Sequence, residues 1–291
     1  MEQSLLRPAD FHHEMIQAGK LFLHIVTDGP QDGPLVLLLH GFPEFWYSWR
    51  FQIKPLAAAG YRVVVPDLRG YNQSEKTGPY DTFTLAEDVA NLVKALGHSQ
   101  AHIIGHDWGG MVAWMFAILH PEMVDRLIVC NLPHPSTIGK MFRSLYVPQM
   151  IKSWYIGFFQ IPGLPELGLS ARNYEALAQI IRSAGPITDE EIGYYREAWA
   201  HPGALTAMLG YYRALFPTLR RLAKQDATVR VPTRLIWGDP DVALDTKMAE
   251  WSAQWCPGLD LKIIRNSTHF VQQSTPEQVT DYMLSFLNVT A

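Results

Sequence analysis

Two cysteines in 291 residues leave no material for a disulfide framework. Cys130 and Cys256 lie far apart without paired spacing and read as free thiols of a reducing compartment. No apolar stretch approaches the ~20 residues that span a bilayer as a helix, so a helical membrane protein is excluded. Blocks of like charge are missing too: 24 Lys and Arg stand against 28 Asp and Glu, a net charge of −4. With neither a basic stripe nor an acidic tail, nothing points to nucleic acid or to anionic membranes as partners. The first ten residues lack the basic-then-apolar layout of a secretory signal, and there is no internal repeat or low-complexity tract. What is present is 48% hydrophobic residues, enough for a sizeable core. The expectation is a cytoplasmic globular protein, monomer or homodimer, built as one large domain with an insertion.

The apolar pattern gives an α/β protein. Residues 11–15 and 21–26 flank Ala18-Gly19-Lys20 and predict a hairpin. Residues 35–39 are apolar without interruption, as in a strand covered on both faces, and 61–65, 101–104 and 126–130 repeat that character. A helix is predicted over 84–96, with Thr84 and Glu87 as its capping box and Gly97 ending it. Residues 111–119 are apolar on nearly every side and stop before Pro121, as a buried central helix would. From about 134 to 226 strand signals vanish, replaced by short helical segments rich in aromatics, Met and Pro. Strands resume at 233–237 and 261–264, and Thr275-Pro276-Glu277 starts a last helix. The division expected is an α/β core of 1–133 and 227–291, its mostly parallel sheet flanked by helices, with a helical cap of 134–226 inserted.

Gly105-His106-Asp107-Trp108-Gly109 lies between a strand-like run and the apolar helix. Gly-x-nucleophile-x-Gly marks a nucleophile elbow, a sharp strand-to-helix turn; alone, it is also an ordinary turn. Serine is the usual centre. An aspartate there attacks through carboxylate oxygen, which suits displacement at an sp³ carbon and leaves an ester that water must then cleave. That second step calls for a base, an orienting group and an oxyanion hole. His40-Gly41-Phe42-Pro43 follows the 35–39 strand, where a loop amide completes such a hole; the donors would be the amides of Phe42 and Trp108. His269, after the last strand, fits the chain order nucleophile, acid, histidine, and would take a proton from water. The acid should follow the 233–237 strand, where Trp237-Gly238-Asp239-Pro240-Asp241 offers both Asp239 and Asp241. Asp239 could instead cap its turn, and Asp241 has the better claim. The alternative place, Asn131-Leu132-Pro133-His134-Pro135, holds no carboxylate.

These motifs together resemble the soluble, bacterial-type epoxide hydrolases of the α/β-hydrolase fold. The likeness runs from about Phe11 through the cap to the C-terminal helix, and Trp237-Gly238-x-x-Asp matches the family's acid motif at Asp241. The resemblance implies two cap tyrosines that hydrogen-bond the epoxide oxygen. Matching on Phe159-Gln160-Ile161-Pro162-Gly163 places the first at Tyr155. The second matches Tyr212 rather than Tyr211 in Gly210-Tyr211-Tyr212-Arg213, where glycine replaces the usual asparagine. Haloalkane dehalogenases share the Asp-Trp pair and are the nearest rival; the tyrosines favour an epoxide, because a halide needs no proton donor. A non-catalytic ligand-binding member of the fold would be expected to lose part of the triad. The implied reaction is hydrolysis of a small apolar epoxide to a vicinal diol, with no metal or organic cofactor. Trp154, Phe158, Phe159 and Met141 are candidates for an apolar pocket, or equally for packing between cap and core.

Overall fold

The computed structural model describes residues 6–288, and its frame is an eight-stranded sheet in the order β1-β2-β4-β3-β5-β6-β7-β8. The strands are β1 (His12–Ala18), β2 (Leu21–Asp28), β3 (Leu35–Leu39), β4 (Arg62–Pro66), β5 (Ala101–His106), β6 (Val124–Cys130), β7 (Thr233–Asp239) and β8 (Asp260–Arg265). β1 and β2 form the expected hairpin around Gly19-Lys20, and β2 pairs antiparallel with β4. From β4 to β8 every pairing is parallel. Parallel strands covered by helices on both faces must be apolar throughout, and no residue of the Leu-Val-Leu-Leu-Leu of β3 is more than 2% exposed.

The chain leaves β3 toward β4 on one side, then returns across β3 to form β5 on the other. The loops that follow β3 and β5 therefore diverge, opening a crevice at the carboxyl ends of these neighbours, where α/β sheets bind ligands. His40-Gly41-Phe42 follows β3 and Asp107 follows β5, so the two motifs of greatest chemical interest meet at this switch point.

The buried helix Trp108–Leu119 packs on this centre. The helix before β5 departs from expectation. It runs Thr82–Ala95, and its N-cap is Asp81, not Thr84. Asp81 accepts from the Thr84 amide at 3.3 Å and from the Thr84 hydroxyl at 2.8 Å. A carboxylate is the stronger acceptor for the free amides of a first turn, and its charge suits the helix dipole. Gly97 follows the C-cap with φ +82°, as the C-terminal signal predicts.

Between β6 and β7 the chain is entirely helical in its regular structure: Pro135–Arg143, Val147–Lys152, Trp154–Phe158, Leu164–Arg182, Asp189–Ala200 and Ala204–Leu222. The last helix, Pro276–Leu287, begins at Thr275-Pro276 as its start signal predicts. Cys130 and Cys256 are free and buried, and among the described residues no helix is long and apolar enough to cross a membrane.

Candidate active site

Asp107 is held in a backbone conformation that side chains other than glycine rarely adopt, φ +48° and ψ −121°. The surrounding glycines explain how the chain tolerates it. A Cβ on Gly105 would lie 2.3 Å from the Gly109 carbonyl oxygen, and one on Gly109 would lie 2.2 Å from that of Leu39. Both distances are far inside van der Waals contact, so the tight turn and its seat on β3 need bare backbone at both places. The turn lifts the carboxylate out of the sheet, leaving its side chain 14% exposed toward a cavity.

The loop after β3 comes up against this carboxylate. The Phe42 amide donates to Asp107 Oδ1 at 2.8 Å. Such an approach requires Gly41, where a Cβ would sit 2.5 Å from that of Asp107. The Trp108 amide opens the following helix and is one of its first-turn donors without an intrahelical acceptor. His40 is structural here: its Nε2 accepts from the Leu68 amide at 3.0 Å while Nδ1 faces the Gly41 carbonyl at 3.0 Å. That pattern requires the neutral ring, and burial correspondingly lowers its pKa.

On the other side of Asp107 stands His269, with Nε2 3.6 Å from Oδ2 and Nδ1 2.7 Å from Asp241 Oδ2. Asp239 is turned away and bound to Thr246 at 2.7 Å and to Arg265. The Asp241 carboxylate is saturated: Oδ1 accepts the amides of Ala243 at 2.7 Å and Leu244 at 2.9 Å, and Oδ2 also accepts Asn131 Nδ2 at 2.7 Å. Burial works against charge on all three groups. It is outweighed at His269 by the Asp241 and Asp107 carboxylates, which hold the imidazole well above its ordinary 6.5. Asp107 and Asp241 are in turn kept below the usual carboxylate value, chiefly by His269.

Asn131 and Glu44 are the residues sequence reasoning passed over. Asn131 follows β6 with φ +42°, and its amide bridges Asp241 to Gly238, accepting from the Gly238 amide at 2.8 Å. It stands where a search for acids finds none; its amide group supports the acid of the next strand. Glu44, one residue beyond His40-Gly41-Phe42-Pro43, lies beneath the elbow and is fully buried with His106. Four donors converge on it: the Gly41 amide, His106 Nδ1 and the side-chain amides of Gln272 and Gln273, at 2.7 to 2.9 Å. His106 Nε2 faces the His269 carbonyl at 2.9 Å. Both ring nitrogens of His106 thus meet oxygen atoms, one of Glu44 and one of the His269 backbone. This pair ties the neighbour of Asp107 to the backbone of His269.

Tyr155 and Tyr212 come from different helices of the β6–β7 segment and meet edge to face, with ring centroids 5.9 Å apart. Tyr212 also packs edge-on against Phe42, Trp108 and Phe159. Tyr211 is occupied elsewhere, donating to the Arg69 carbonyl at 2.6 Å. The glycine at 210 is filled from outside: a Cβ there would lie 2.4 Å from the ring of Tyr80, so an asparagine would collide with that residue. Burial, and then the Asp107 charge, raise both the Tyr155 and Tyr212 phenols above their ordinary pKa, keeping them as donors.

Asp107, His269, Tyr155 and Tyr212 share one cavity of about 550 Å³. Its remaining wall is largely aromatic and aliphatic, including Phe42, Trp154, Phe158, Phe159 and Val242. Trp154 stands 69% exposed at the rim. Met141 does not line this cavity; it is buried in the core, because its helix turns that face inward.

A family model described as alpha/beta hydrolase fold matches residues 34–275. The AB hydrolase superfamily protein YfhM of Bacillus subtilis is 42% identical over 280 residues, 94% of this chain and 97% of that protein. Epoxide hydrolase 2 of Caenorhabditis elegans is 35% identical, over 96% of this chain and 81% of its own length. Among solved structures, a Bacillus megaterium epoxide hydrolase in complex with an inhibitor superposes with a TM-score of 0.86 at 30% identity, covering 94% of this chain and 100% of that one. Sheet order, elbow and these likenesses converge, and the chain belongs to the α/β-hydrolase fold family and, within it, to the epoxide hydrolases.

Proposed function

We propose that this protein hydrolyses small apolar epoxides to vicinal diols through an ester on Asp107, beneath a helical cap formed by residues 134–226. The observation that carries this reading is the pair of protonated phenols, Tyr155 and Tyr212, sharing one apolar cavity with a carboxylate at a strained elbow. A phenol is the partner an opening epoxide oxygen needs; a departing halide has no use for it.

The geometry supports a division of labour between the two oxygens of Asp107. Oδ1 is held by the Phe42 amide, so Oδ2 attacks the ring carbon while the C–O bond breaks and the alkoxide takes a proton from a tyrosine. In the resting enzyme His269 is an imidazolium between two carboxylates. Once Asp107 is an ester its charge is gone, and His269 can give up its proton, which replaces the one taken from the tyrosine. Neutral His269, oriented by Asp241, then removes a proton from water attacking Cγ of the ester. Negative charge gathers on Oδ1, where the Phe42 and Trp108 amides are its donors. Collapse releases the diol and restores carboxylate and imidazolium, so the protons balance over the cycle.

A single turnover in ¹⁸O-water tests this sequence. Water attacks the enzyme's ester carbonyl, so the label is expected in Asp107 and not in the diol. Label in the diol after one turnover would mean direct attack of water on the epoxide and would overturn the proposal.

A further inference from the structure

The loop that carries Asp241 has little to order it from within. Residues 241–245 are neither helix nor strand, and Val242 among them is 73% exposed. The Asp241 side chain consumes the inward amides of this loop. Its outward polar groups are taken up by residues of the segment between β6 and β7, spaced three apart. Tyr146 donates to Asp245 Oδ1 at 3.1 Å. Gln149, fully buried, donates to the Ala243 carbonyl at 2.8 Å and accepts from the Asp245 amide at 2.6 Å. Lys152 donates to the carbonyls of Asp241 at 2.7 Å and Leu244 at 3.3 Å.

Positions 146, 149 and 152 lie on one face of a single helical stretch, Val147–Lys152 with Tyr146 as N-cap. Three residues past Lys152, on the next helix, stands Tyr155. Lys152 also reaches the cavity wall, and its ammonium is engaged by neutral carbonyls. We propose that Lys152, with Gln149, is a positioning residue: it fixes the Asp241 backbone to the helix that precedes Tyr155, so that the orienting acid and the epoxide-oxygen donor are set by one contact. The inference rests on the proposed two-step reaction. The contact acts on ester hydrolysis, the step that uses the Asp241–His269 pair, more than on ring opening, because Tyr155 is also held by its ring contacts with Phe159 and Tyr212.

The test separates the two steps in wild type, Lys152→Met, Lys152→Arg and His269→Gln. Each is mixed with styrene oxide and followed by rapid-quench intact mass, which counts the ester, and by diol formation, alongside thermal unfolding. Lys152→Met keeps the stem and loses both donations, while Lys152→Arg retains a cationic donor. Ester hydrolysis in Lys152→Met is expected to slow roughly 10- to 100-fold, as misplacement of a catalytic group costs, so the ester accumulates; the acid limb of the hydrolysis pH profile moves, and Lys152→Arg largely restores both. A fall of both steps by the same factor together with the melting temperature, or unchanged partition between the steps, overturns the proposal. Should Lys152→Met not fold, Gln149→Met, which removes both Gln149 bonds to the loop at similar volume, takes its place in the same comparison. No ester trapped in His269→Gln would instead sink the two-step reading itself, which keeps the two failures apart.

Discussion

At the scale of single residues, Asp107 and His269 fix each other's charge, and the proposed ester changes that balance. Replacing Asp107 by asparagine imitates the neutral ester. It removes one of the carboxylates that raise the His269 pKa and leaves burial, which lowers it. The His269 titration midpoint, read from its ring resonances by NMR, is therefore expected to move down in Asp107→Asn; an unchanged or raised midpoint would contradict the release of His269 by esterification. The tyrosines divide in the same way. Tyr155→Phe and Tyr212→Phe are each expected to slow ring opening by about 100-fold, the scale of a lost proton donor, whereas Tyr211→Phe removes a bond to the Arg69 carbonyl and leaves ring opening near wild type. Stopped-flow alkylation rates decide this, and a Tyr211 variant as slow as Tyr212→Phe would reverse the assignment. The sequence alone left Asp239 beside Asp241 and Tyr211 beside Tyr212. Neither choice is set by local spacing, because a step of one or two residues in a loop or helix turns a side chain to another neighbour.

At the scale of elements, the elbow is legible because its constraints are local. Gly105 and Gly109 are needed where backbone meets backbone, and such contacts leave their mark on the sequence at fixed spacing. Gly109→Ala places a methyl group 2.2 Å from a main-chain oxygen of β3, and relief requires the helix to move off the sheet. A loss of about 3 kcal/mol is expected, the upper end for an overpacked core, together with turnover; calorimetric unfolding at unchanged stability would refute the packing argument. The strands of the sheet were equally legible, since β3 to β6 are read from continuous apolar runs. The start of the helix before β5 was not. Thr84 and Glu87 fit a capping box, yet Asp81 three residues earlier offers a charged acceptor to the same turn. Two adequate caps compete there, and the start signals of the sequence do not rank them.

At the scale of the molecule, what escaped the sequence is what only the fold brings together. Glu44, His106, Gln272 and Gln273 are separated by up to 229 positions and meet under the elbow, and Asn131 reaches Asp241 across 110. No periodicity signals such contacts. His134 is a further case: wholly buried, stacked on Trp255, donating Nε2–H to the Ala227 carbonyl at 2.9 Å and accepting from the Ser136 amide. Burial lowers its pKa to about 4. Between about pH 6.5 and pH 4 the unfolded chain binds a proton there that the folded one refuses, so stability falls as pH falls through this window, by about 3 kcal/mol in all. His134→Gln should therefore flatten the acid side of the stability profile relative to wild type in urea unfolding at stepped pH. Parallel profiles would place the titrating group elsewhere.

If Asp107 is the nucleophile, it becomes covalently bound to the whole epoxide, and the mass of the stalled protein reads that bond. His269→Gln is incubated with styrene oxide, its intact mass is taken, and the modified peptide is sequenced by tandem mass spectrometry. A persistent gain equal to the whole epoxide is expected, located on Asp107 and abolished by Asp107→Asn in the same background. No adduct, or one formed only from a bromoalkane with release of bromide, would contradict it.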